Sequence, residues 1–114
     1  MMHDDSLKSD NFKYSLSDNS RFIFDYLVSN KHVDVLTPKM VARVLKKVYG
    51  IAIEPDEPQK ILLELSGNEV SVLYENLTLL GKDIRKVDYL ELNTDQKSLV
   101  SCHFYATKKL KNLR

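Results

Sequence analysis

A helix that carries a start signal and a stop signal is the most constraining feature of this chain. Residues 37–50 read TPKMVARVLKKVYG. Thr37 suits the N-cap, and Pro38 suits the first helical position, because no backbone donor is needed there. Gly50 suits a left-handed C-terminal cap. At ~100° per residue the apolar side chains fall within an arc of roughly 140°, which predicts one buried face. This set consists of Met40, Val41, Val44, Leu45 and Val48.

The opposite side of the same helix is basic. Its cations fall within about 100° of one another on a helical projection. They are Lys39, Arg43, Lys46 and Lys47. A solvated surface is the ordinary explanation of such a cluster, and a site for phosphate or for an acidic partner is the alternative.

Length, charge and cysteine content limit the class of protein. A chain of 114 residues predicts one domain. The net charge of +1 gives no overall field, so binding to nucleic acid or to a membrane would need a local patch. The single cysteine, Cys102, excludes an internal disulfide and favours an intracellular, reducing compartment. We expect no contact with a membrane, because no apolar run approaches ~18 residues and the N-terminus lacks a signal-peptide pattern.

The first half of the chain predicts an arm and a helix. Residues 1–17 are mostly polar and predict a flexible N-terminal arm. A helix is expected from about residue 18 or 20 to about residue 30, and its segment RFIFDYLV is apolar nearly all round. Phe24 and Val28 lie one turn apart on a side of their own. In a small domain a core position is the preferred explanation for that side, and contact with another chain is the alternative.

Residues 60–75 allow two interpretations. The preferred one is a pair of helices, the second over residues 68–80 and ending at Gly81. The alternative is a hairpin with KILLEL and EVSVLYE as strands. In the helical interpretation Val72 and Leu79 lie opposite the buried face, beside Glu75. They would then form a small exposed apolar patch with an acidic rim.

The last third predicts a β-hairpin and a tail. Residues 100–107 alternate with period two, which puts Cys102 inside. Residues 86–92, KVDYLEL, are the expected partner strand, with residues 93–96 as the turn. Residues 108–114 predict a basic tail that includes Lys108 and Lys109.

The fold class expected from these elements is α+β, a single globular domain over residues 18–107. Three or four helices followed by a C-terminal β-hairpin make it a small winged-helix-like domain. The order helix, short strand, helix, helix, hairpin resembles the winged-helix arrangement. That resemblance implies a DNA-binding protein with a late helix in the major groove.

Two functional hypotheses follow, and neither is enzymatic. We expect no catalytic residues, metal, cofactor or small-molecule substrate, because His3, His32 and His103 have no ligands at metal-binding spacing. The first hypothesis is a small adaptor or regulator that binds another protein or itself. Its interface would contain Phe24, Val28, Val72, Glu75 and Leu79. The alternative is a winged-helix DNA-binding regulator. Its anion-binding residues would be Lys39, Arg43, Lys46, Lys47, Lys108 and Lys109.

Overall fold

The computed structural model describes residues 16–67 and 70–113. The predicted N-terminal arm therefore lies outside the described residues, apart from Leu16 and Ser17. The described helices are α1 (Asp18–Ser29), α2 (Pro38–Tyr49), α3 (Glu57–Leu65), α4 (Lys86–Leu90), α5 (Thr94–Lys97) and α6 (Lys108–Asn112). The described strands are β1 (Val35–Leu36), β2 (Leu73–Leu79), β3 (Lys82–Ile84) and β4 (Val100–Ala106).

The helix predicted with caps at both ends is confirmed as α2. The Thr37 hydroxyl accepts a hydrogen bond from the Met40 N–H at 3.4 Å, and Gly50 has a φ of 70°. Val41 and Leu45 are fully buried. Val48 is 57% exposed, so its predicted place in the core is wrong. The contact of α2 with α1 and α3 occupies a narrower strip than the predicted apolar arc.

The four strands form one antiparallel sheet in the order β1–β4–β2–β3. The predicted strand over residues 100–107 is confirmed as β4, with Phe104 fully buried. Its long partner is β2, which pairs with it from Leu73–Ala106 to Leu79–Val100. Residues 86–92 are not that partner. They contain α4, and residues 93–96 begin α5 with a capping box between Asn93 and Gln96.

For residues 60–75 the helical interpretation is right in its first half, and the hairpin of KILLEL with EVSVLYE is wrong, because residues 60–65 are helical and β2 pairs with β3 and β4. Residues 57–65 are helical, as α3. The helix predicted over residues 68–80 is wrong, because residues 73–79 form β2. Leu73 and Leu77 are buried, and a spacing of four fits one face of a helix and one face of a strand equally well. The pairing with β4 decides between the two, and that contact is remote in sequence.

The fold is α+β, with helices and core on one face of the sheet. Leu73, Leu77, Cys102 and Phe104 point into the core, and the residues between them are mostly exposed. The buried hydrophobic side chains form a single cluster that joins α1, α2, α3, α6 and the sheet. On the other face Tyr74 and Tyr105 lie directly opposite each other with ring centroids 5.4 Å apart. Such a cross-strand aromatic pair stabilises the sheet.

Residues 108–112, predicted as part of a basic tail, form α6. Leu110 is 1% exposed. The Lys111 ammonium donates to the Asp34 carboxylate at 2.7 Å, to the Val33 carbonyl at 3.3 Å and to the Lys31 carbonyl. The hydrogen bond from Lys111 lowers the pKa of the exposed Asp34 carboxyl. The end of the chain is therefore fastened to the segment that leads into β1.

Two features differ from the predicted helices-then-hairpin order. The long strands β2 and β4 are not joined by a tight turn, because residues 80–99 lie between them and contain β3, α4 and α5. In addition, α6 follows the last strand. The sequence pattern missed this insertion because its short elements have few buried positions, among them Tyr89.

Candidate functional site

A groove of about 670 Å³ runs along the free part of strand β4. One wall is the edge of β4 at residues 100–103, and the other is the start of α2 together with residues 53–59. The side chains on that second wall are mainly apolar. They include Pro38, Ala42, Ile53, Pro55 and Pro58. We call this feature the β4 groove.

The edge of β4 is open in the groove because β1 is only two residues long. Leu36 pairs with Phe104, and the Ala106 N–H donates to the Asp34 carbonyl at 2.9 Å. Main-chain groups of alternate residues point to the same side of a strand. The N–H and C=O groups of Cys102 and Val100 therefore point to the side that β1 would occupy if it continued. No described strand pairs with them there, and the Val100 carbonyl accepts a weak hydrogen bond from the Cys102 thiol at 3.9 Å.

Pro38 explains why β1 stops. Continuing the β1–β4 register by two residues would set Pro38 opposite Cys102. Proline has no N–H to donate to a ladder, and here it is the first residue of α2. The chain therefore turns away into a helix at the point where the next pair of hydrogen bonds would form. The same turn creates the groove, because it places the start of α2 beside a strand edge that lacks a partner.

Gln59 adds a polar group to the groove wall. Its Oε1 atom is buried and accepts no hydrogen bond from any described residue. Gln59 also lines a second, smaller pocket of about 380 Å³ beside Tyr89 and Lys97. A buried acceptor without a donor is unfavourable by about 1–3 kcal/mol, so a donor supplied to this amide would be stabilising.

Cys102 lines the groove with its main chain, while its side chain belongs to the core. The residue is 7% exposed, and burial raises the pKa of its thiol. A thiol with a raised pKa stays protonated at neutral pH and is a poor nucleophile. His103 is exposed and points to the opposite face, as the alternation predicts for neighbours on a strand. The arrangement thus offers hydrogen-bonding groups rather than a reactive pair.

The structure places the predicted cations on two helices. Lys39, Arg43, Lys46 and Lys47 are all exposed on α2, and none forms an ion pair with a described residue. Lys39 also lines the β4 groove. Lys108 and Lys109 are exposed on α6, which packs against α1. The cations of α2 therefore form one continuous face, and the two on α6 belong to another part of the molecule.

The predicted protein interface is not an exposed surface. Val72 is fully buried, so the expectation that it is exposed is wrong. Phe24 is 5% exposed, which agrees with the core interpretation of its helix and not with a place in the interface. Val28 is half-buried and packs against the core. Glu75 and Leu79 are half-buried on β2. For Val72 the error follows from the wrong helix over residues 68–80, which set Val72 opposite the buried face.

The insertion between β2 and β4 exposes four large apolar side chains. They are Leu80 (84% exposed), Leu99 (63%), Val87 (56%) and Leu90 (53%). The sequence interpretation did not predict their exposure, because it assigned Leu80 to a helix and Val87 to a strand. The dipeptide Leu80–Gly81 gave only a weak signal, because a two-residue hairpin turn with positive φ at both positions favours asparagine, aspartate or glycine before the glycine.

Within residues 16–67 and 70–113, no group of three or more His, Cys, Asp or Glu side chains is placed to hold a metal ion. No described helix is long and apolar enough to cross a membrane.

Comparisons with models of protein families, with curated proteins and with solved structures found no match to this chain.

Proposed function

We propose that this protein is a small non-enzymatic adaptor that binds an extended segment of another protein along the β4 groove. The observation that carries the proposal is the open edge of β4 at Val100 and Cys102, which faces a groove instead of bulk solvent. Unpaired main-chain groups on a strand edge are a template for one more strand. A peptide that adds to such an edge gains affinity from main-chain hydrogen bonds and specificity from alternate side chains.

The shape of the groove favours a single peptide strand as the ligand. The start of α2 and residues 53–59 line the groove opposite the strand edge. A second copy of this chain that brought its own β4 edge here would also bring these elements. A single peptide strand lacks them and therefore adds to the edge with less obstruction.

The walls also indicate the side chains of the partner. A residue opposite Cys102 would turn its side chain toward the core, beside Ala42 and Ile53. Its neighbours along the peptide would point to the other face of the sheet, beside exposed His103. We therefore expect a segment with small apolar residues at alternate positions and polar residues between them.

Blocking the groove should abolish peptide binding. Peptides can be selected from a random displayed library against the wild-type protein. Their affinity for the Ala42→Trp variant should be at least about tenfold lower than for the wild type, because the indole fills the groove. Ala52→Trp is the matched control, because Ala52 is exposed and does not line the groove. Enrichment of peptides that bind both variants as well as the wild type would contradict the proposal.

The second candidate function is DNA binding by a winged-helix-type regulator. The observation that favours it is the exposed basic face of α2, whose four cations have no ion-pair partner among the described residues. The order α1, β1, α2, α3, β2 and the pairing of β1 with β4 and of β4 with β2 are compatible with such a domain. The acidic residues of α3, Glu57 and Glu64, make that helix a poor surface for phosphates.

The DNA hypothesis predicts a strong salt dependence. Fluorescence anisotropy with mixed-sequence duplex should show binding that weakens as salt rises. Reversing the charge at Lys46 and Lys47 should reduce the slope of log K against log salt by about 2. Reversal at Lys60 and Lys82 changes the net charge equally on another surface. Equal effects of the two double variants, or no binding at low salt, would contradict a site on α2.

A further inference from the structure

We propose that the peptide bound along the β4 groove is the C-terminal end of its protein, and that its last side chain and free carboxylate occupy the smaller pocket beside Lys97. We call this feature the Lys97 pocket. Its lining includes Leu63, Tyr89, Leu90, Lys97 and Ser98. The proposal rests on the adaptor function, because it specifies which part of a partner protein the β4 groove binds.

The Lys97 pocket adjoins the β4 groove. Pro55 and Gln59 line both of them. Val100 lines the groove, and Ser98, two residues earlier in the chain, lines the pocket. The groove and the pocket therefore meet at the start of β4, where a ligand that fills the groove can continue into the pocket.

The direction of the added strand decides which end of the peptide reaches the pocket. Every described strand pairing in the sheet is antiparallel. A peptide that continues the ladder of β1 would likewise run antiparallel to β4. It would pass Cys102 first and Val100 second, and would then lead toward Ser98. The C-terminal end of the peptide therefore arrives at the Lys97 pocket, and its N-terminal end lies at the other end of the groove.

The charge of the pocket favours a carboxylate at that end. The lining contains two lysines and one carboxylate, Asp56, which forms an ion pair with Lys60 at 3.2 Å. The ammonium of Lys97 lies 5.4 Å from the centroid of the Tyr89 ring and forms no ion pair with any residue that the structure describes. A carboxylate beside this half-buried ammonium would accept a charge-assisted hydrogen bond, whereas the ammonium of a peptide N-terminus would be repelled.

The apolar part of the lining specifies the last residue of the peptide. Leu63, Tyr89 and Leu90 contribute to it, and Leu90 is 53% exposed, so its side chain is accessible to a ligand. The volume of about 380 Å³ is near the lower end of the range for ligand pockets, roughly 300–1,000 Å³, which suits one residue better than a longer segment. We therefore expect a large apolar residue, such as leucine or phenylalanine, at the last position.

A comparison of free-acid and amidated peptides on the full chain tests the proposal. Peptides can be selected from a random library displayed with free C-termini and then synthesised in both forms. The free acids should bind the wild type at least about tenfold more tightly than the amides, because amidation removes the charge that Lys97 contacts. On the Lys97→Gln variant the two forms should bind within about twofold of each other.

Two further variants complete the design. Lys108→Gln is the matched control, because it changes the net charge equally at an exposed residue of α6 that does not line the pocket. It should keep the tenfold preference for free acids. Leu90→Ala removes apolar lining, so it should weaken binding of peptides that end in leucine by about fivefold. The same peptides with alanine at the last position should bind this variant and the wild type equally.

The outcomes separate this proposal from the adaptor function. Peptides that lose affinity for Ala42→Trp but bind the wild type equally as acids and amides would overturn the C-terminal proposal and support the groove. A preference for free acids that persists in Lys97→Gln, or that is lost in Lys108→Gln, would also overturn it. If no selected peptide distinguishes the wild type from Ala42→Trp, both proposals are contradicted.

Discussion

Replacing Phe104 by alanine should lower the free energy of unfolding by about 3–5 kcal/mol. Phe104 lies in the middle of β4, is fully buried and contacts the cluster that joins the helices to the sheet. The loss combines the missing apolar transfer with the cavity that a rigid sheet cannot close. Since small domains are stable by only about 5–15 kcal/mol, the variant should be near the limit of folding. Urea denaturation followed by circular dichroism measures the difference.

His103→Ala is the matched control on the same strand. The imidazole is exposed on the open face of the sheet, so its removal should change stability by no more than about 0.5 kcal/mol. Equal effects of the two substitutions would mean that β4 does not present alternate residues to a core. That result would contradict the register on which the β4 groove depends.

Ending the chain after Thr107 should be nearly as damaging. The truncation removes Leu110, which is 1% exposed, and a buried leucine contributes about 2–5 kcal/mol. It also removes the ammonium of Lys111, which holds the carbonyl of Val33 and the carboxylate of Asp34 in front of β1. We expect the free energy of unfolding, measured by thermal or urea denaturation, to fall by at least about 3 kcal/mol.

The truncation decides between a helix and a tail. Lys108→Ala is the control. This residue is exposed at the start of α6, so its replacement should change the free energy of unfolding by less than about 0.5 kcal/mol. If the truncated chain is as stable as the full one, residues 108–114 behave as the basic tail that the sequence predicts, and the packing of α6 is wrong.

Local signals predicted the elements that depend on local physics. The cap at Thr37, the proline at the first helical position and the left-handed Gly50 act within α2, so the sequence was sufficient there. The strict alternation of β4 was equally clear. The helix predicted over residues 68–80 is wrong because Leu73 and Leu77 fit the helical period and the strand period equally. Only the long-range pairing with β4 selects the strand. The strand predicted for KVDYLEL is wrong because its alternating apolar residues are not alternately buried. Tyr89 is the one buried residue of α4.

The candidate surfaces were harder to predict than the fold. The β4 groove depends on where β1 stops relative to β4. The register between two remote segments cannot be predicted from the sequence of either segment alone. Pro38 was recognised as the start of a helix, but its second effect, the end of the ladder opposite Cys102, needs the pairing of Leu36 with Phe104. The exposed basic face of α2 was predictable, because it needs only the helical period.

Residue-resolved amide hydrogen exchange tests the central claim, that β4 has an open edge which accepts a further strand. In the free protein the Cys102 amide should exchange on the order of 100-fold faster than the Phe104 amide, because Phe104 is paired with Leu36 and Cys102 has no strand beside it. An unpaired amide exchanges with an opening free energy near zero, whereas a paired core amide needs an opening free energy closer to that of global unfolding. A selected peptide should slow exchange at Cys102 and leave Phe104 unchanged. Equal protection of the two amides in the free protein, or no slowing at Cys102 with saturating peptide, would contradict the account.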